Sequence, residues 1–241
     1  MIFGDYHVHS TYSKDAKTTM QEILDEAIAK NMRAIAITDH CYYHMYGIKK
    51  GQLSEMYKTI DKLDQQSNVH VLKGIEANLM NQKGEIDFPK NEQDKADFVI
   101  LSYHKSFGKG FGKMLAHNKM KKTDEKTIAL NTAAYIKAME NNKINMVGHI
   151  NYVAKVNCVE IAQYCKEHNI YLELNGRKNC MSDEELRAVI GTGVQFIITS
   201  DAHTKERIGD VRMGLTIMEK FDIPEWQIAN LNKLPDFSKR K

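Results

Sequence analysis

Residues 3–10 read FGDYHVHS and residues 200–203 read SDAH. His7 and His9 stand two apart in a stretch that reads as a β-strand opening almost at the first residue, and Asp201 and His203 repeat that spacing. In a strand, side chains at i and i+2 leave the same face, so each pair can bite one ion. Imidazole together with carboxylate suits Zn²⁺, Mn²⁺ or Fe²⁺. Two such pairs bracket the chain, one near each end.

Further candidates lie between them, each after an apolar, β-branched run: His40 after AIAITD, Glu76 after VLKGI, His104 after FVILSY and His149 after INMVG. Parallel strands that alternate with helices bring their C-terminal ends to one rim, where barrel enzymes assemble their chemistry. His7, His9, His40, His104, His149 and His203, out of ten histidines in all, are thereby placed to converge.

The elements follow the same rhythm. Strand-like runs occur near Phe3–Val8, Ala34–Thr38, Val69–Ile75, Phe98–Tyr103, Ile144–Gly148, Ile170–Leu174 and Gln195–Thr199. Amphipathic stretches of helical period separate most of them: Thr19–Lys30, Leu53–Gln65, Asp124–Asn141, Val159–Glu167 and Ser182–Ile190. Thr18 or Thr19 and Ser182 read as N-caps, Ser182 with Glu185 in a capping-box pattern. Such alternation means α/β architecture with a parallel sheet. Two long connections break the rhythm. The polar Asn78–Lys95 segment reads as an excursion, and the basic, glycine-containing Lys105–Thr123 segment would lie over the rim.

At 241 residues with 42% hydrophobic content, the chain can bury a sizeable core, and one domain over residues 1–241 is the simplest division. The formal charge of +3, from 34 basic against 31 acidic residues, is too mild to argue for nucleic acid or a membrane surface. The expected partner is a small molecule. Cys41, Cys158, Cys165 and Cys180 form no CxxC pair, and neither a secretory signal nor an apolar run of membrane-spanning length is present. A cytoplasmic protein with reduced thiols is the expectation; oligomeric state is not encoded in any pattern.

Weighed singly, several of these signals are weak. One HxH in a strand arises often by chance, but strand after strand ending in His, Asp or Glu does not, because such groups are costly to bury unless paired or metal-bound. Glu76 closes an apolar strand, and its two oxygens could each take one cation; a structural salt bridge is the rival reading. Asp15 is equally a solvated or helix-capping carboxylate, and Asp39 either supports His40 or closes a turn. His70 and His168 read as surface residues, whereas His44 and His117 fall in loops on the active rim and stay open. Arg177, Lys105 and Arg207 lie close after strand ends, and each alone reads as a surface cation. Together they suit an anionic substrate, Arg through its bidentate fork. Gly108, Gly110, Gly112 and Lys113 fail the phosphate-loop spacing, and no GxSxG elbow supports a serine nucleophile. Tyr42, Tyr43, Tyr46 and Tyr103 read as rim packing.

In order, DYHVHS, SKDA, ITDH, GIEAN, SYHK, VGHI and ITSDAH resemble the motifs of the PHP (polymerase and histidinol phosphatase) family, from about Asp5 to His203, and the chain's length is similar to the short stand-alone bacterial members. The resemblance implies a distorted (β/α)7 barrel with three divalent metal ions, Zn, Mn or Fe, at the C-terminal ends of the strands. It implies a first ion on His7, His9, Glu76 and Asp201, a second on Glu76, His104 and His149, and a third on Asp15, His40 and His203. Asp15 stands where some relatives carry His, and Ile150 where relatives commonly have Pro. The expected activity is a phosphomonoesterase acting on a small phosphorylated metabolite through a hydroxide bridging two ions, with Asp201, Glu76 and His203 as catalytic residues and Arg177, Lys105 and Arg207 on the substrate. Histidinol phosphate is the best-known family substrate. A nuclease or a protein-tyrosine phosphatase of the same family, and a non-catalytic metal-binding regulatory module, are the alternatives.

Overall fold

In the computed structural model, which describes residues 1–104 and 124–238, seven strands run parallel in sequence order. They are β1 (Gly4–Val8), β2 (Ala34–Ile37), β3 (His70–Asn78), β4 (Phe98–Ser102), β5 (Met146–Val147), β6 (Tyr171–Asn175) and β7 (Phe196–Thr199). Helices pack outside: α1 (Met20–Ala29), α2 (Gln52–Gln65), the single turn α3 (Lys90–Gln93), α4 (Glu125–Asn141), α5 (Cys158–Glu167), α6 (Asp183–Gly191) and α7 (Arg212–Lys220). The sheet curls into a nearly closed (β/α)7 barrel. No described helix is long and apolar enough to cross a membrane.

The seam between β1 and β7 is joined in two ways. At the top, His9 N–H donates to the Ala202 carbonyl (2.9 Å) and Ala202 N–H to the His7 carbonyl (3.3 Å). Lower down a side chain substitutes for a strand: Asn230 Nδ2 donates to Gly4 O (3.0 Å) and Ile198 O (2.7 Å), and its Oδ1 accepts from Ile198 N–H (3.1 Å).

The inward-facing series explains why the site sits where it does. Along each strand alternate residues enter the barrel. Ala34 and Ala36, Leu72, Phe98 and Ile100, Tyr171 and Ile197 form one apolar plug at the bottom with Tyr6 and Met146. Continuing each series upward by twos leads to His40, Glu76, His104, Glu173 and Asp201. In β1 the pairing with β2 shifts between Asp5 and Val8, so Tyr6 joins the plug while His7 and His9 enter the metal layer and Val8 joins the outer core. Gly148 keeps room beneath that layer. A Cβ there would stand 2.5 Å from Ser102 Oγ and 2.9 Å from Ile100 Cγ2.

The strands and principal helices fall where the patterning places them, with differences at their ends. Thr19 caps α1 through a reciprocal bond with Glu22, and Ser182 caps α6 with Glu185 in the same way. β3 runs on to Asn78, so Glu76 lies within the strand rather than closing it. The Asn78–Lys95 excursion is ordered by an antiparallel bridge between Leu79 and Ile86 and by α3. α7 was not legible in the sequence because Gly214 interrupts its apolar face. It is needed there, since a Cβ would meet Ile198 Cγ2 at 2.4 Å. The 105–123 connection, with Lys105, His117 and its glycines, lies outside the described residues.

Candidate metal centre

The nine expected ligands come together at the top of the barrel. His7 Nε2 stands 3.4 Å from Glu76 Oε1 and 3.9 Å from Asp201 Oδ1; His9 Nε2 stands 3.7 Å from Glu76 Oε2 and 3.6 Å from Asp201 Oδ1. Glu76 Oε1 also faces His104 Nε2 at 3.4 Å and His149 Nε2 at 3.0 Å. Asp15 Oδ2 faces His40 Nε2 at 3.4 Å and His203 Nε2 at 3.5 Å. Donors held tetrahedrally about 2.1 Å from one ion are about 3.4 Å apart, so each group has the spacing of a coordination shell. Glu76 belongs to two of them.

Unpartnered atoms point the same way. His7 Nε2, His9 Nε2 and Asp15 Oδ1 are buried without a hydrogen-bond partner among the described residues. Polar atoms left so are expensive, and a cation between them removes the cost. The residues present therefore fit divalent metal ions. Two of the donors also sit on unusual backbone, His149 at φ 20° and Asp201 at φ 50°. Non-glycine residues held there mark positions fixed by their surroundings.

The electrostatics favour a cation. Burial would raise Glu76, but the imidazoles of His104, His7 and His40 outweigh it and hold the carboxyl well below its usual range. Burial would likewise raise Asp201 and Asp15, and neighbouring imidazoles again bring both down. Burial, joined by the facing rings of His40 and His203, pushes His9 well down, leaving it neutral with a lone pair to give. For His7 burial also acts downward, but the carboxylates of Glu173, Glu76 and Asp201 prevail and raise it well above the ordinary value. His40 is lifted to about 9, Glu76 and Asp15 overcoming its burial. Protons drawn to such groups are what a bound metal displaces.

Residues that the sequence reading passed over hold the ligands in place. Glu173, in the middle of β6, accepts from His7 Nδ1 (2.6 Å), Thr199 Oγ1 (2.6 Å), His149 N–H (2.5 Å) and Asn175 Nδ2 (3.1 Å). With Nδ1–H so engaged, His7 presents the Nε2 lone pair inward. Asn78 Oδ1 accepts from His104 Nδ1 (2.7 Å) and is itself fixed by its Nδ2 bond to Asp87 (3.3 Å). A signal for Glu173 existed: a lone carboxylate inside the apolar run YLELN has to be paired. Asp39 plays a different part from supporting the His40 ring. It accepts from the backbone of Ser10 and Ser13 and from Ser10 Oγ, fixing the loop that carries Asp15.

Above the ligands opens a cavity of about 510 Å³ whose rim includes His44, Tyr46, Tyr152, Arg177 and Lys178. Arg177 lies over Asp201 Oδ1 (3.5 Å) and His203 Nδ1 (3.0 Å). Lys178 Nζ sits over the Tyr152 ring at 4.4 Å. Asn175 links ligand to rim, its Oδ1 accepting from Arg177 N–H and Lys178 N–H while its Nδ2 donates to Asp201 Oδ2. Arg207, expected on the substrate, is engaged elsewhere: it bonds Asp210 Oδ2 at 2.6 Å and the Gly176 carbonyl at 3.1 Å and does not line the cavity. Its place is behind the turn that carries Arg177. His70 is exposed, paired with Asp64, and His168 stacks on Tyr164, both away from the site.

The PHP domain profile matches residues 5–177. The chain belongs to the PHP domain family. Among relatives of this PHP protein, a probable phosphatase of Aliivibrio fischeri is 28% identical over 239 residues, spanning 94% of this chain and 88% of the relative. A probable phosphatase of Caldanaerobacter subterraneus is 26% identical over 235 residues, spanning 94% and 86%. The PHP barrel also resembles the crystal structure of histidinol phosphate phosphatase from Lactococcus lactis, complexed with zinc, L-histidinol and phosphate, at a TM-score of 0.65 and 19% identity over 92% of this chain and 95% of that one. At that identity the likeness speaks for the fold.

Proposed function

We propose that this PHP protein is a metal-dependent phosphoesterase, a phosphomonoesterase acting on a small phosphorylated metabolite. The observation that carries the reading is the convergence of nine donors into three groups, two of which share Glu76, beneath a cavity with Arg177 and Lys178 on its rim. The relatives described as probable phosphatases support it.

In this reading His7, His9, Glu76 and Asp201 hold one ion, Glu76, His104 and His149 a second, and Asp15, His40 and His203 a third. Bound divalent ions would supply Lewis-acid stabilisation of phosphoryl oxygens and activation of a water at neutral pH. The rest falls to the protein. Arg177 is half-exposed over the ligands and closes on the phosphate with its planar fork, which pairs two oxygens at once. When His203 Nδ1–H donates to the Asp201 carbonyl (3.1 Å), its Nε2 is free for the third site and the Arg177 guanidinium is released to substrate. Asn175 keeps Arg177 and Asp201 in fixed relation, and Arg207 steadies the intervening turn. The cavity volume suits a metabolite, and histidinol phosphate is one candidate.

The test is a metal-assayed preparation challenged with an aryl phosphate and then with a panel of phosphorylated metabolites. Two to three ions per chain together with monoester turnover is the expected result. Metal uptake without turnover on any phosphate ester would instead make the chain a metal-binding module.

A further inference from the structure

His44 lies in the loop after β2, half-buried on the cavity wall, its ring centroid 3.7 Å from that of His40 and 4.6 Å from that of His104. Its nitrogens come close enough to those two imidazoles to suggest a further metal ligand. The hydrogen bonding argues otherwise. Tyr46 N–H donates to His44 Nδ1 at 3.3 Å, and a backbone amide has no other role to play. Nδ1 therefore carries the lone pair, and in a neutral imidazole the proton must sit on Nε2. A nitrogen that carries a proton has no lone pair for a metal.

The contrast with the proposed ligands is direct. His7 and His104 each turn Nδ1 to an acceptor, Glu173 Oε1 and Asn78 Oδ1, and so present a bare Nε2. His44 turns Nδ1 to a donor, so the edge it leaves to the cavity is an N–H. The ring stands beside those of His40 and His104, from the third and second groups, on the cavity wall that a phosphoryl oxygen would meet.

We infer that His44 is a substrate contact, a hydrogen-bond donor through Nε2–H to a phosphoryl oxygen, in the same cavity that Arg177 lines. The inference rests on the phosphoesterase reading and assigns the rim residue that completes it. The loop that makes the Tyr46 bond also fixes the ring, so the donor is aimed before substrate arrives. Protonation would not change the polarity of that edge, because Nε2 bears hydrogen in either state.

Two variants test it, His44→Ala and His44→Gln, the latter able to place an amide N–H where the imidazole Nε2–H was. Each is assayed for metal content, for inhibition by inorganic phosphate, and for kcat/KM on an aryl phosphate. Expected is full metal content in both, with inhibition by phosphate and kcat/KM weakened roughly ten- to hundredfold in His44→Ala and largely recovered in His44→Gln. Loss of an ion from His44→Ala would overturn the assignment in favour of a ligand, and unaltered phosphate affinity would make His44 a bystander. A wild-type protein that neither turns over phosphate esters nor is inhibited by phosphate would overturn the phosphoesterase reading itself, which the variants leave untouched.

Discussion

His7 donates from Nδ1 to Glu173 Oε1 across 2.6 Å, joining the first strand to the sixth through two fully buried side chains. The pair decides which edge of His7 faces the candidate metal centre. The carboxylate raises the basicity of the ring it orients, and its second oxygen takes the amide of His149, so one residue governs donors of two groups.

Glu173→Gln is therefore expected to be far from conservative. Glu173 receives four donors, two on each oxygen, and an amide turned either way sets an NH₂ against two of them. Metal affinity should fall roughly ten- to hundredfold, measured by competition with a chromogenic chelator. A variant that holds metal as tightly as the wild type would mean that His7 needs no orientation.

Glu76→Gln should abolish turnover and lower metal content, since the carboxylate faces His7, His104 and His149 through one oxygen and His9 and His40 through the other. Elemental analysis beside a rate measurement decides it. His70→Ala, at an exposed residue paired only with Asp64, is the control and should alter neither. Near-normal metal and rate in Glu76→Gln would reduce Glu76 to a structural role.

Arg177→Lys keeps the charge and loses the fork. At equal metal loading kcat/KM should drop by about 1.5–3 kcal/mol of transition-state binding, roughly ten- to hundredfold. Arg207→Lys should give a smaller loss in the same direction, because Arg207 reaches the substrate only through the Gly176 carbonyl. If Arg177→Lys leaves kcat/KM unchanged, the ions alone bind the phosphate.

Asp87 supplies a pH signature one residue behind the site, joined to His104 through Asn78. Burial raises its carboxyl from 3.8 to about 6 against the bonds it accepts from the backbone and side chain of Asn78 and from Tyr43 N–H. The folded state thus binds the proton more tightly than the unfolded one. The associated stability is fully present below pH 3.8 and is lost as pH rises through about 6, amounting to about 3 kcal/mol. Asp87→Asn should remove that slope, so the difference in unfolding free energy between variant and wild type should narrow from pH 4 to pH 6 in urea titrations. A difference independent of pH would show that Asp87 does not titrate in this window.

Much of this was written in the chain at short range. The strand-end positions of His40, His104 and Asp201 follow from apolar runs and period two, and the ordered motifs tied them to one family. What escaped was set by three-dimensional context. The register shift in β1 that turns Tyr6 into the plug while His7 and His9 face the site has no local marker. Arg207 looks the same in sequence whether it meets substrate or Asp210, and Glu173 was hidden because it lies inside its strand rather than at the end. The tautomer of His44 depends on a turn two residues long. Gly214 masked α7 because its value lies in a close contact with Ile198, which no helix pattern reports.

The Asn230 side chain that stitches Gly4 to Ile198 spans 226 positions of sequence, and this sets an order of events during synthesis. In synthesis His7 and His9 precede Asp201, and the lower stitch of the seam that holds β1 beside β7 waits for Asn230. The proposed metal centre is thus complete only once Asp201 has joined His7 and His9 across that seam. A chain that stops short of Asn230 would keep the His9–Ala202 bonds but lose the lower stitch, leaving the start of β1 an unpaired edge and a template for pairing with other chains.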